Sequence, residues 1–230
     1  MYYLLGSMSP LYWGVVIISL VLGGITQAYI RSTYDKWSRV PSGLRATGAE
    51  VARRMLNTEG ASQCGIGHIS GTLTDNYNPR ENVLHLSDEN FHGGSVSSVA
   101  VACHEAGHAV QTAKGFGLAQ LRQALVPAVT FAQNTWSIAF FLGMFMRLMG
   151  LVEVAIILFA ATVVFQLVTL PVEIDASRRA LGFLKTQGSA IDQEGARSVL
   201  IAAALTYVAG ALVSIINLLY LLTITGNRRR

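Results

Sequence analysis

The chain has 230 residues, of which 52% are hydrophobic and only 13% charged, with a formal net charge of +4. Soluble domains are typically about 25% charged, so the composition excludes a single ordinary soluble domain and calls for segments that face something other than water. The positive charge forms no basic stripe interleaved with aromatic residues, which argues against nucleic acid as a partner. Two cysteines, Cys64 and Cys103, are too few for a disulfide framework.

Residues 1–30 are predicted to hold the first transmembrane span. The stretch "LYWGVVIISLVLGGITQAYI" (11–30) carries no charge and is long enough to cross a bilayer core of about 30 Å. The opening "MYYLLGSMSP" lacks the basic start of a cleaved signal peptide, so the span is expected to be retained.

Residues 31–125 change character and contain all five histidines: His68, His85, His92, His104 and His108. They are expected to form a soluble domain. "SGLRATGAEVARRMLN" (42–57) places Leu44, Val51, Met55 and Leu56 near one face of an amphipathic helix. "GIGHISGTLTD" (65–75) and "ENVLHLSD" (81–88) read as strands, with "NYNP" (76–79) as the turn of a hairpin between them. A helix follows, with Ser95 as its N-cap and Gly115 as its stop.

The remainder divides into a membrane hairpin (126–170), a charged island (171–198) bearing "PVEIDASRRALGFLKTQGSAIDQEGAR" (171–197), and a fourth span with a basic tail (199–230). Lysine and arginine mark the cytoplasmic side of short loops. Arg31, Lys36, Arg39, Lys114, Arg122, Arg178, Arg179, Lys185 and Arg197 would share one side, which their number makes cytoplasmic. The tail "NRRR" (227–230) argues the other way. The expectation is an α-helical, multi-pass protein of about four transmembrane helices in the lipid bilayer, with its soluble domain on the cytoplasmic face.

Chemistry concentrates in "HEAGH" (104–108). Residues four apart stack on one helix face, so His104 and His108 can offer two imidazoles to one Zn²⁺. Glu105 is rotated by roughly 100° from His104, which suits a general base that takes a proton from water acidified by the ion. Gly107 costs about 1 kcal/mol of helix propensity relative to alanine, a cost that fits close approach of a neighbouring element. A catalytic zinc normally has three protein ligands. "AVQTAKGFG" (109–117) after His108 supplies no further histidine and the remaining histidines all lie upstream, so the third ligand must come from elsewhere, and the best downstream carboxylates are Glu173 and Asp175. Glu173 is the choice, and Asp175 is either the alternative ligand or a group that holds a histidine tautomer. Arg178 and Arg179 either neutralise carboxylates and orient substrate or are charges at the membrane surface.

On "GTLTDNYNPRENVLHLSD" (71–88), "SVSSVAVACHEAGHAVQ" (95–111) and "PVEIDASRRAL" (171–181), the sequence resembles the bacterial membrane-bound neutral zinc metallopeptidases, a YugP-like group. More distantly it is similar to the heat-shock and CAAX-processing membrane gluzincins, where an E-x-x-A-D glutamate completes the zinc site. Here "EIDAS" (173–177) keeps Glu173 and Ala176 but has Ser177 in place of the aspartate. The resemblance implies a small α+β zincin-like (minigluzincin) catalytic domain, one zinc ion, and hydrolysis of peptides or membrane proteins at the bacterial plasma membrane. It also implies that the strand before the active-site helix, "NVLHLS" (82–87), is a sheet edge that pairs with extended substrate. His85 and His92 are then candidates for steadying the oxyanion. Two other readings stand beside it: an intramembrane protease of the site-2 type, and a membrane scaffold on an inactive protease fold. A regulatory membrane protein is a further conceivable partner.

Overall fold

The computed structural model describes residues 10–188 and 191–226. The "NRRR" tail and the start "MYYLLGSMS" lie outside the described residues. Helices dominate, with one small sheet.

Four helices are long and apolar enough to cross a membrane: α1 (Pro10–Ser38), α5 (Gly117–Met146), α6 (Met149–Thr186) and α7 (Gln193–Gly226). At 1.5 Å per residue each exceeds the bilayer core of about 30 Å. Helix α1 exposes Leu11, Trp13, Ile17, Ile18, Leu20, Val21 and Ile25. So continuous an apolar face suits lipid rather than water. A tight turn links α5 to α6, with Arg147 in the left-handed region at φ 56° and Leu148 N–H donating back to Gly143 O.

Between α1 and α5 lie α2 (Gly48–Thr58), β1 (Gly65–Ile69), β2 (Asn76–Asn78), β3 (Val83–Ser87), α3 (Asp88–His92) and α4 (Val96–Ala113). Helix α2 starts at a capping box, in which Thr47 and Glu50 satisfy each other's backbone N–H groups. It buries Val51, Ala52, Met55 and Leu56, the stripe expected from the sequence, while Leu44 lies in the loop before it and packs on the same core. Ser95 caps α4 by accepting from Ser98 N–H, and Gly115 at φ +67° follows its end. Both were legible from residue type.

The sheet departs from the expected hairpin. Its order is β1-β3-β2, with β1 parallel to β3 and β2 antiparallel to it. "NYNP" is therefore not a turn: Asn76, Tyr77 and Asn78 pair with His85, Leu84 and Val83. The turn comes one step later, where Asn78 Oδ1 accepts from Arg80 N–H and Asn82 takes φ 53°. Tyr77 accounts for the shift. It is a strong strand former that packs on the core and donates its hydroxyl hydrogen to Asn82. As a result β3 is the central strand, not an edge, and its backbone is paired on both sides.

The charged stretch 171–198 is also not an island. Helix α6 runs unbroken through Pro171 to Thr186, and α7 begins at Gln193. Ala180, Phe183 and Leu184 of α6, with Ala196, Val199 and Leu200 of α7, join the same buried core as α2 and α4. Helix α4 thus sits between the sheet, α2 and the inner ends of two long helices. It crosses α6 at Gly107, where a Cβ would lie 2.7 Å from Ala176 O and 3.1 Å from Ala176 Cα. That is the close approach the mid-helix glycine foretold.

Candidate metal centre

The crossing at Gly107 sets the chemistry. Three residues before it and one residue after it, α4 carries His104 and His108, and α6 presents Glu173 and Ser177 against them. Glu173 Oε2 lies 3.2 Å from His104 Nε2 and 3.4 Å from His108 Nε2. The three residues form a cluster whose ligand atoms all lie within 4.8 Å of one another. A tetrahedral ion with bonds of about 2.05 Å keeps its donors about 3.3 Å apart, which matches the two measured separations.

The far sides of both rings are held. His104 Nδ1 is 3.1 Å from Ser177 Oγ, and His108 Nδ1 is 3.0 Å from Gln111 Oε1. Gln111 Nε2 donates to Val172 O at 2.7 Å and to Asp175 Oδ2 at 2.9 Å. Those two acceptors require the amide nitrogen on their side, so the oxygen must face His108. His108 Nδ1 therefore carries a hydrogen, and in the neutral ring Nε2 is the atom left with a lone pair toward the carboxylate. With Nδ1 holding one hydrogen, the 3.4 Å approach of Nε2 to the carboxylate is satisfied either by a second proton on the ring or by a cation bound between the two atoms. The donor set thus fits a divalent ion such as Zn²⁺.

Glu105, rotated off the ligand face, lines a cavity of about 230 Å³ together with His108, Glu173, Arg122 and Tyr207. Burial pushes the Glu105 carboxyl up to about 7, the negative charges of Glu173 and Asp75 adding to the push while His104 and Arg122 pull against it. Asn76, Tyr77 and Pro79, from β2 and the turn after it, form the outer wall, and Val126 and Val172 form the wall toward the apolar helices.

Of the other residues singled out by sequence, Asp175 is outside the metal cluster but reaches His108 through Gln111, and it also accepts from Arg179 Nε at 2.7 Å. Arg178 is exposed and does not line the cavity. His85 and His92 are likewise not in its wall. Leu84 and Leu86 face the core beneath α4, so alternation turns His85 to the opposite face, where it lies 3.4 Å from Glu81. His92 ends α3 against the rings of Phe91 and His68. It precedes an α4 that runs about 13 Å from Val96 to Glu105.

Sequence reasoning missed Gln111, Arg122 and Tyr207, and gave Ser177 no role. Gln111 was accessible in principle, three residues past His108 on the same helical face. Arg122 and Tyr207 carry no such signal, because only the packing of α5 and α7 brings them to the cavity.

The chain matches the family model described as "Putative neutral zinc metallopeptidase" over residues 12–226. It is 41% identical over 217 residues to "Putative membrane protease YugP" of Bacillus subtilis (strain 168), covering 94% of this chain and 96% of that protein. No solved structure matches it. With two histidines and a carboxylate gathered around one point and a family match spanning nearly the whole sequence, the chain belongs to the family described as "Putative neutral zinc metallopeptidase".

Proposed function

We propose that the protein is an integral-membrane zinc endopeptidase of the zincin-like, minigluzincin type, with one Zn²⁺ held by His104, His108 and Glu173. The observation that carries this reading is the convergence of His104 Nε2 and His108 Nε2 on Glu173 Oε2 at 3.2 and 3.4 Å, the spacing of donors around one tetrahedral ion. Bound there, zinc supplies Lewis acidity for water and for a peptide carbonyl. Glu105, which lines the cavity beside His108 and Glu173, takes the proton of the attacking water and passes it to the leaving nitrogen. Ser177 and the Gln111–Asp175 pair hold the two imidazoles in the tautomer that leaves Nε2 free for the ion. Tyr207, close enough to feel the charges of Glu173 and Arg122, offers a hydroxyl to the carbonyl oxygen. The unpaired edge of β2, rather than β3, is the strand available to an extended substrate.

The substrate is a peptide or a membrane protein cut at the bilayer boundary, since the cavity is walled by the small sheet on one side and by three long apolar helices on the other. Four spans and the run of lysine and arginine beside them support a multi-pass protein of the bacterial plasma membrane with its active site toward the cytoplasm. Surface chemistry is favoured over intramembrane chemistry because α4 is packed against α2 and the sheet and is not among the four long apolar helices.

The test is Glu105→Gln beside His108→Ala in the full-length protein. E105Q keeps one zinc per chain while peptide hydrolysis falls by orders of magnitude, and H108A loses the zinc. An E105Q protein that still hydrolyses peptide refutes the mechanism. A wild-type protein that binds zinc but cleaves nothing favours the scaffold.

A further inference from the structure

Glu173 has two carboxylate oxygens, and the proposed metal site uses one. Oε2 is the oxygen paired with the two imidazoles, while Arg122 Nη1 comes within 3.2 Å of Oε1. Arg122 stands on the second turn of α5. In sequence it is one more positive charge at the end of a membrane span, of the kind whose head snorkels toward lipid headgroups. In the fold its head turns inward, lines the cavity beside Glu105 and Tyr207, and is 30% exposed. Glu173 is 1% exposed. So deeply buried a carboxylate needs a counter-charge. Among the described residues Oε1 accepts no well-directed hydrogen bond; Arg122 supplies the cation beside it, and the Tyr207 hydroxyl also interacts with the Glu173 carboxylate.

We propose that Arg122 is a positioning residue for the metal: by occupying Oε1 it restricts Glu173 to one-oxygen ligation. The inference rests on the metal reading above. A carboxylate free of its partner can rotate and offer both oxygens to a divalent cation, and four-coordinate zinc sites stay catalytic only while one position is open to water or substrate. With Arg122 in place, two histidines and one oxygen leave that position open. Without it, Oε1 competes for the position.

The experiment loads full-length wild type, R122M, R122K and E173Q with Co²⁺, whose visible spectrum reports coordination number, and measures Co²⁺ and Zn²⁺ affinities by chelator competition. Wild type is expected to give a four-coordinate spectrum. R122M retains metal but shifts toward the weaker bands of higher coordination, and its hydrolysis falls about 10–100-fold, the usual scale for loss of a group supporting a metal ligand. R122K, which returns a cation near the same place, moves the spectrum back toward wild type. A purely structural role for Arg122 would weaken binding without changing the spectrum of the metal that remains, and R122K would then have no particular effect on it. An R122M spectrum identical to wild type overturns the proposal. Should R122M fail to fold, R122Q, too short to reach Oε1, is expected to show the same shift, and an unshifted R122Q spectrum overturns the proposal equally. If instead E173Q matches wild type in both affinity and spectrum, Glu173 is not a ligand and the metal reading itself fails.

Discussion

Replacing Gly107 by alanine isolates the contact on which the metal site depends. On a free helix the change stabilises by about 1 kcal/mol, because glycine is the poorer helix former. Here the new methyl would lie 2.7 Å from Ala176 O, 3.1 Å from Ala176 Cα and 3.2 Å from Ala176 C, all main-chain atoms of α6 that no rotamer change can move. Relief requires α4 and α6 to separate by about half an ångström or more. Overpacking of this kind costs about 1–3 kcal/mol, so the propensity gain is cancelled or exceeded. Glu173 and Ser177 sit on α6 within one turn of Ala176, and they would move with it. Metal sites tolerate about 0.2 Å of error in ligand distance, and His108 Nε2 already lies 3.4 Å from Glu173 Oε2. G107A should therefore bind Zn²⁺ about 10–100-fold more weakly, read by competition against a chelator, while thermal unfolding in detergent shows no increase in Tm. A variant that binds zinc like wild type and melts at a higher temperature would show that the crossing has slack and that the close approach does not set the site.

Other perturbations separate the parts. G48A should lower Tm, since its Cβ would meet Asn90 O at 2.2 Å and Ser98 O at 2.7 Å, where α2 packs on α3 and α4; an unchanged Tm would show that this packing has slack. Q111L removes the acceptor of His108 Nδ1 and strips Val172 O and Asp175 of a donor, so zinc affinity should fall about 10–100-fold, and unchanged affinity would mean that His108 needs no such support. In metal-free protein, Glu105 favours its neutral form, with a folded value of about 7 against an ordinary 4.5. The folded state then binds more protons than the unfolded one across that window, and stability drops as pH rises through it. Chemical denaturation should show the stability of wild type relative to E105Q declining from about pH 4.5 to about 7 and levelling above; a pH-independent difference would refute the shift. Y207F should cut turnover, and wild-type turnover would remove Tyr207 from the proposed chemistry.

Residue type and spacing were enough for whatever is local. A charge-free run needs no partner to declare that it avoids water, and Ser95, Gly115 and the Thr47–Glu50 pair mark helix ends by chemistry within one turn. His104, Glu105 and His108 take their relative directions from helix geometry alone. Glu173 was reached by a different route, from chemical need and resemblance, because nothing local ties it to a histidine 69 residues away. What the tertiary structure alone decided is how separate elements meet. A strand pattern does not carry its pairing order, so β3 became central only when β1 and the tyrosine-bearing β2 took its two sides. The polar spacing of 171–186 did not reveal that its alanines would complete a distant core and prolong α6. Arg122 looked like a membrane-edge charge because its sequence neighbours say nothing about Glu173. Its partner is fixed by long-range packing of two helices, and such a contact leaves no periodic trace in either of them.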